Sequence, residues 1–326
     1  MRALAVAVLA LAVVGCGGVA KPAHTVVTVA SPTPTVTTVA TVVTATTRAR
    51  PPAPRPPFPV AQRIVTFVDH SRLVTYPGQA PQPRKLVTII RYPLAPGRFP
   101  LVVFGHGFAV TPAPYARLLE AWAHAGFVVA APLFPLENAD APGGPNEADL
   151  VNQPRDMSFV ITRMLALDRG TQRPFAGAIN PSKIAVAGQS DGGDTALTAA
   201  YNGAFRDPRI RAAVILSGQE MPGVGGYDFP SPSPPLLATQ GLADTINVPS
   251  TTFAFWDAAP PPKFLLTMPG TPHLPPYTYE QPQLGIVERV TIAFLDLYLK
   301  GERGALSTMK AAGDVPGGAS LQADPR

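Results

Sequence analysis

Apolar positions fall into brief, wholly hydrophobic runs separated by segments of helical spacing. Leu101-Val102-Val103-Phe104 and residues 127–131, 183–187, 212–216, 236–239 and 263–268 read as buried strands, being short and rich in β-branched or aromatic side chains. Residues 113–125, 151–167, 192–201 and 287–299 carry helical spacing, and 253–256 predicts a further helix. Phe159, Val160, Met164 and Leu165 form the apolar face of the helix over 151–167. Two earlier strand-like runs, 63–68 and 85–91, flank the turn Tyr76-Pro77-Gly78 and suggest an antiparallel start. Wholly apolar strands alternating with helices predict an α/β domain. Its central sheet is mostly parallel, with about eight strands and helices on both faces.

The two ends depart from this pattern. Arg2 precedes an uninterrupted apolar run over residues 3–14. That is too short to span a bilayer, which takes about 20 residues, but it suits the core of a secretory signal. The run ends in Val13-Val14-Gly15-Cys16, which resembles a bacterial lipobox. The resemblance implies a signal peptide over 1–15, lipidation of Cys16, and a membrane anchor on the extracytoplasmic face, with simple secretion as the alternative. Residues 16–57 are dominated by Thr, Val, Ala and Pro and read as a disordered tether, too poor in large side chains to offset the entropy of ordering. The globular domain is expected over 58–304. The small and polar residues 305–326 read as a flexible tail.

Within the domain, Gly188-Gln189-Ser190-Asp191-Gly192 matches G-x-S-x-G between an apolar strand and a helical segment. This is the setting in which a sharp turn projects a serine oxygen from a sheet edge, and it makes Ser190 the candidate nucleophile. A serine hydroxyl needs a base. Of the five histidines, only His273 follows Ser190, in the loop after the run 263–268. Asp207, Asp228, Asp244 and Asp257 lie between them. Asp244 follows the run 236–239 closely, which puts it at the carboxyl edge of the sheet, where open α/β sheets place their sites. It is the candidate acid, to orient the imidazole and stabilise the imidazolium. The backbone N–H groups of Asp191 and of Phe108, in Gly105-His106-Gly107-Phe108, are candidate oxyanion donors. His106 reads as structural. Phe108, Tyr227 and Trp256 are candidate pocket walls, and residues 136–150 and 218–235 are candidate covers.

Together these residues resemble the α/β-hydrolase superfamily. The nearest groups are the dienelactone-hydrolase-like, chlorophyllase-like and polyester-hydrolase or platelet-activating-factor-acetylhydrolase-like proteins. The pieces that carry the resemblance are residues 101–107, 124–129, Asn152-Gln153-Pro154-Arg155-Asp156, 188–193, the segment around Asp244, and His273. It implies hydrolysis of a small, lipid or polymeric carboxylic ester through an acyl-enzyme, with no metal or organic cofactor. Asp191 departs from the pattern, since many relatives carry an uncharged residue there. A serine peptidase or acyltransferase on the same triad is a second reading, and an inert envelope-binding lipoprotein a third.

Charge and cysteine content narrow the classes. Cys16 is the only cysteine, so the globular part has no disulfide, no thiolate nucleophile and no cysteine-ligated metal. The net charge of +5 is modest and the arginines are scattered, which speaks against a nucleic-acid partner. No H-E-x-x-H is present, Gly223-Val224-Gly225-Gly226 lacks the strand–helix setting of a dinucleotide loop, and there is no P-loop. A monomer is the expected state.

Overall fold

The computed structural model describes residues 56–230 and 232–326. The expected signal segment, Cys16, and all but the last two residues of the expected tether lie outside the described residues.

Nine strands form one sheet in the order β1-β2-β4-β3-β5-β6-β7-β8-β9. β1 (Val60–Val74) and β2 (Gln82–Pro93) are an antiparallel pair, and β2 runs antiparallel to β4 (Val128–Leu133). β3 (Phe99–Gly105), β4, β5 (Ile179–Gln189), β6 (Ile210–Leu216), β7 (Leu236–Gly241) and β8 (Lys263–Met268) are parallel. The mostly parallel sheet and the antiparallel start are as the apolar pattern predicts.

The parallel strands are apolar along most of their length because both faces are covered. Leu101 and Val103 of β3, Ile184 and Val186 of β5, and Ala213 and Ile215 of β6 join one core. Their neighbours Val102, Phe104, Ala185, Ala187 and Val214 join the other. α2 (Gln153–Arg169), α3 (Asp191–Tyr201) and α4 (Pro249–Ala258) pack on the first face through Met157, Leu197 and Phe255. α1 (Ala116–His124), α5 (Gln283–Leu295) and α6 (Ala305–Gly313) pack on the second through Trp122, Phe294 and Met309. α5 continues as a π-turn over Asp296–Lys300, which ends at Gly301 in the left-handed region. No helix among the described residues is long and apolar enough to cross a membrane.

The C-terminal end corrects an expectation. Residues 305–326, read as a flexible tail, form α6 and then β9 (Ser320–Asp324), which pairs antiparallel with β8 as the ninth strand. Leu321 and Met309 are buried in the second core. Asp314 Oδ1 accepts the Leu321 N–H at 2.9 Å and fastens the turn between helix and strand.

A buried ion network holds α2 to the start of the sheet. Arg84 of β2 is 1% exposed and grips both oxygens of Asp156 through Nε, at 2.8 and 3.0 Å. Its other end meets Asp149, in the 3-10 turn Glu147–Asn152 that leads into α2. Arg72 Nη2 adds a second cation 2.7 Å from Asp156 Oδ1. The segment 152–156, part of the resemblance, therefore acts in the structure as an anchor for α2.

Candidate active site

β3 and β5 lie side by side, with Gly105 opposite Gly188, so the loops that leave their carboxyl ends are neighbours. After β5 the chain turns at Ser190 with φ 56° and ψ −127°, and α3 begins at the next residue. A non-glycine residue in this region is strained and must be held by its surroundings. Here the Ser190 N–H donates to the Leu216 carbonyl of β6 at 3.0 Å, and the Asp194 N–H donates to the Ser190 carbonyl at 2.9 Å. Glycine on either side is a steric requirement. A Cβ on Gly188 would stand 1.9 Å from the Gly192 carbonyl oxygen, and one on Gly192 would stand 2.1 Å from that of Gly105.

The segment after β3 passes directly over Ser190, since a Cβ on Gly107 would lie 3.1 Å from the Ser190 Cβ. It is fixed by His106, which is wholly buried. His106 Nε2 accepts the Phe134 N–H at 3.0 Å, which leaves Nδ1–H to donate to the Gly107 carbonyl at 2.8 Å. Burial lowers this imidazole to about 4, against the pull of the Gly107 hydrogen bond, so it is neutral and structural, as its position predicts. The N–H groups of Phe108 and Asp191 have no acceptor among the described residues. The Phe108 ring is half exposed.

Asp244 and His273 are brought together from two adjacent loops. His273 Nδ1 lies 2.7 Å from Asp244 Oδ2. Asp244 Oδ1 accepts N–H groups from Ile246 at 2.9 Å and Asn247 at 3.1 Å, so one oxygen ties its own turn and the other faces the imidazole. Burial pushes the Asp244 carboxyl up, but the hydrogen bond and charge of His273 and the Ile246 N–H outweigh it, and the group sits below the ordinary aspartate range. The two loops approach closely because Gly241 has no side chain. A Cβ there would meet the Thr271 carbonyl oxygen at 2.3 Å. The Ala243 N–H also donates to that oxygen, at 3.0 Å.

Gln189, the variable residue before Ser190 in the motif, ties the two halves of the site together. Its amide nitrogen lies 3.2 Å from His273 Nε2 and donates to the His273 carbonyl at 3.1 Å. Its oxygen accepts the Tyr115 hydroxyl at 2.6 Å. Among the described residues no hydrogen bond joins Ser190 Oγ to the imidazole, and Nε2 is instead engaged by this amide.

Residues 65–220 match the model of the Chlorophyllase family, which lies in the α/β-hydrolase superfamily. The chain has the α/β-hydrolase fold. The match implies, as a general class, hydrolysis of carboxylic esters. The matched span contains Phe108, Ser190 and Asp191 and ends before Asp244 and His273. Comparison with curated proteins found no match.

Two expected wall residues of the hydrolase sit elsewhere. Trp256 is buried in the first core, and Lys263 Nζ lies 4.4 Å from its ring centroid and donates to its carbonyl. Lys263 begins β8, whereas His273 follows the far end of that strand, so Trp256 belongs to the opposite edge of the sheet. Tyr227 Oη shares a 2.5 Å hydrogen bond with Thr198 Oγ1 and accepts the Met221 N–H at 2.9 Å. Thr198 is about two turns along α3 from Ser190, so Tyr227 fastens the 218–235 loop rather than lining the nucleophile's surroundings.

Beside Ser190 lies a second set of acidic groups, of which the sequence singles out only Asp191. Asp191 and Asp194 of α3 and Glu137, from the segment after β4, are all buried, and each has one carboxyl oxygen without a donor among the described residues. Glu137 stands in a stretch of Pro, Asn and Asp with no periodicity, so nothing in the sequence marks it as buried.

Proposed function

We propose that the protein is an extracytoplasmic serine esterase, anchored through a lipid on Cys16, that cleaves carboxylic esters through an acyl-enzyme on Ser190. The observation that carries the reading is the Asp244–His273 hydrogen bond, whose imidazole reaches Gln189, the residue immediately before the strained Ser190 turn. A base oriented by a buried carboxylate, next to a serine on the sharp turn at a sheet edge, is the arrangement that acyl transfer needs.

In this mechanism Ser190 Oγ attacks the ester carbonyl carbon and passes its proton to His273 Nε2, once the Gln189 amide has given way. The resulting oxyanion takes hydrogen bonds from the Phe108 and Asp191 N–H groups. Collapse breaks the carbon–oxygen bond to the alcohol, which leaves with the proton from His273. Water then attacks the acyl carbon while His273 accepts its proton. The second collapse releases the carboxylic acid and returns the proton to Ser190. Asp244 holds the imidazole with Nδ1 protonated throughout, and no cofactor enters.

The surroundings favour an uncharged, apolar acyl group. Leu242, Ile246 and Val248, on the loop of Asp244, and Phe108, on the oxyanion loop, are all exposed apolar side chains. The negative charges of Asp191 and Glu147 would repel an anionic substrate. The purified protein should hydrolyse p-nitrophenyl acetate and butyrate, and Ser190→Ala should lower kcat by roughly 10⁴-fold or more. Unchanged turnover by the alanine variant would exclude this mechanism.

A further inference from the structure

Glu137 touches both segments that carry the oxyanion donors. Its carbonyl accepts the Ala109 N–H at 2.9 Å, one residue beyond Phe108. Its side chain is wholly buried, and Oε2 accepts from the Gln153 amide, whose own oxygen takes the Thr195 hydroxyl at 2.9 Å. Thr195 lies four residues after Asp191 on α3, hence on the same face of that helix. The remaining oxygen of Glu137, Oε1, and the buried Oδ2 of Asp191 have no donor among the described residues. The two carboxyl groups perturb each other directly, and these two unpartnered oxygens are the ones left to bridge them.

Two buried carboxyls that face each other do not both ionise; they share one proton. Burial raises Glu137, and the charge of Asp191 raises it further. Burial and then the charge of Glu147 raise Asp191, while the Glu137 hydrogen bond and the His273 charge pull it back. This balance favours Glu137 as the holder of the shared proton, donated to Asp191. The other groups facing the pair are Glu147 and Asp149 of the 3-10 turn, Asp194 of α3, and His273. The three acids oppose a second negative charge on the pair, whereas a protonated His273 would favour ionised Asp191.

We propose that Glu137 is a positioning residue which, as a neutral acid bonded to Asp191, clamps the Phe108 and Asp191 N–H groups at the spacing an oxyanion requires. The backbone of Glu137 holds the loop of Phe108, and its side chain holds the first turn of α3. Removal of the shared proton would set two like charges against each other between these segments and spread the donors. The proposal rests on the esterase reading above.

The test compares kcat and KM of the full-length wild type, Glu137→Gln and Glu137→Ala on a neutral p-nitrophenyl ester, from about pH 6 to about pH 10. Gln at 137 retains both bonds, with its nitrogen donating to Asp191 and its oxygen accepting from Gln153, but it cannot ionise. The wild type should lose kcat on the alkaline side. Glu137→Gln should keep neutral-pH kcat within about threefold and lose that alkaline fall. Glu137→Ala should lower kcat by about 10²-fold with little change in KM. If the alanine variant does not fold, the glutamine profile decides alone. A glutamine variant with the wild-type alkaline fall, a wild type without one, or an alanine variant with wild-type kcat overturns the clamp while the esterase reading stands. A wild type that neither turns over the ester nor reacts with a fluorophosphonate overturns the esterase reading, and the clamp with it.

Discussion

His273 Nδ1 and Asp244 Oδ2 share a 2.7 Å hydrogen bond, and two backbone N–H groups hold the other oxygen of the same carboxylate. An acid so fixed can keep only one imidazole tautomer, the one that leaves Nε2 free to accept a proton. Asp244→Asn preserves shape but lets the amide present a donor to Nδ1, which favours the wrong tautomer. It should fold normally and lose about 10⁴-fold in kcat. Steady-state kinetics beside a circular dichroism spectrum checks this; a loss under about tenfold would remove Asp244 from the mechanism.

The Ser190 turn depends on backbone-to-backbone approach. Because a Cβ on Gly188 or Gly192 would collide with carbonyl oxygens at 1.9 and 2.1 Å, relaxation of a side chain cannot relieve either substitution. Gly188→Ala and Gly192→Ala should each cost more than about 4 kcal/mol or prevent folding. A Cβ added at Gly225 would meet nothing within 4 Å, and Gly225→Ala should leave stability within about 0.5 kcal/mol. Denaturant unfolding of the three variants separates these outcomes.

Arg84 is the cation on which two buried carboxylates depend. Arg84→Met fills similar space but leaves Asp149 and Asp156 without their main partner, and Arg72 reaches only one of them. The expected cost is about 3–5 kcal/mol, the range for removing one member of a buried pair. Because Gln153 lies between these acids and Glu137, activity should fall together with stability. A variant as stable as the wild type would show that the network is dispensable.

His106 gives the fold an acid-sensitive element. Burial depresses its imidazole from 6.5 to about 4. Its contribution to stability is therefore complete above pH 6.5, where the unfolded chain is also neutral, and is lost as pH falls toward 4. The full loss is about 3 kcal/mol. Unfolding midpoints across this window should decline, and His106→Gln should flatten the decline. An NMR titration showing His106 protonated near its ordinary value would contradict the assignment.

The parallel strands are legible because burial on both faces makes them uninterrupted apolar runs, and Lys263–Met268 has the same limits in sequence and structure. The end of the chain is not. Ser320–Asp324 has one large apolar residue, Leu321, and it becomes a strand only because the edge of β8 offers partners far away in sequence. Trp256 escapes the sequence pattern for a related reason, since its segment shows that it is apolar but not which end of the sheet it meets. At the candidate site, the sharp turn at Ser190 and the pairing of Asp244 with His273 follow from motif and chain order. Gln189 and Glu137 do not, because one occupies a variable motif position and the other is buried by contacts that no local pattern encodes.

In the proposed mechanism one serine, made reactive by His273, forms the acyl-enzyme. This is tested most directly by treating the full-length protein with a fluorophosphonate and measuring intact mass and modified peptide. The expected result is a single adduct, on Ser190, formed at a rate that falls sharply in His273→Ala and absent in Ser190→Ala. An adduct on another residue, or ester hydrolysis that continues with Ser190 unmodified, would contradict it.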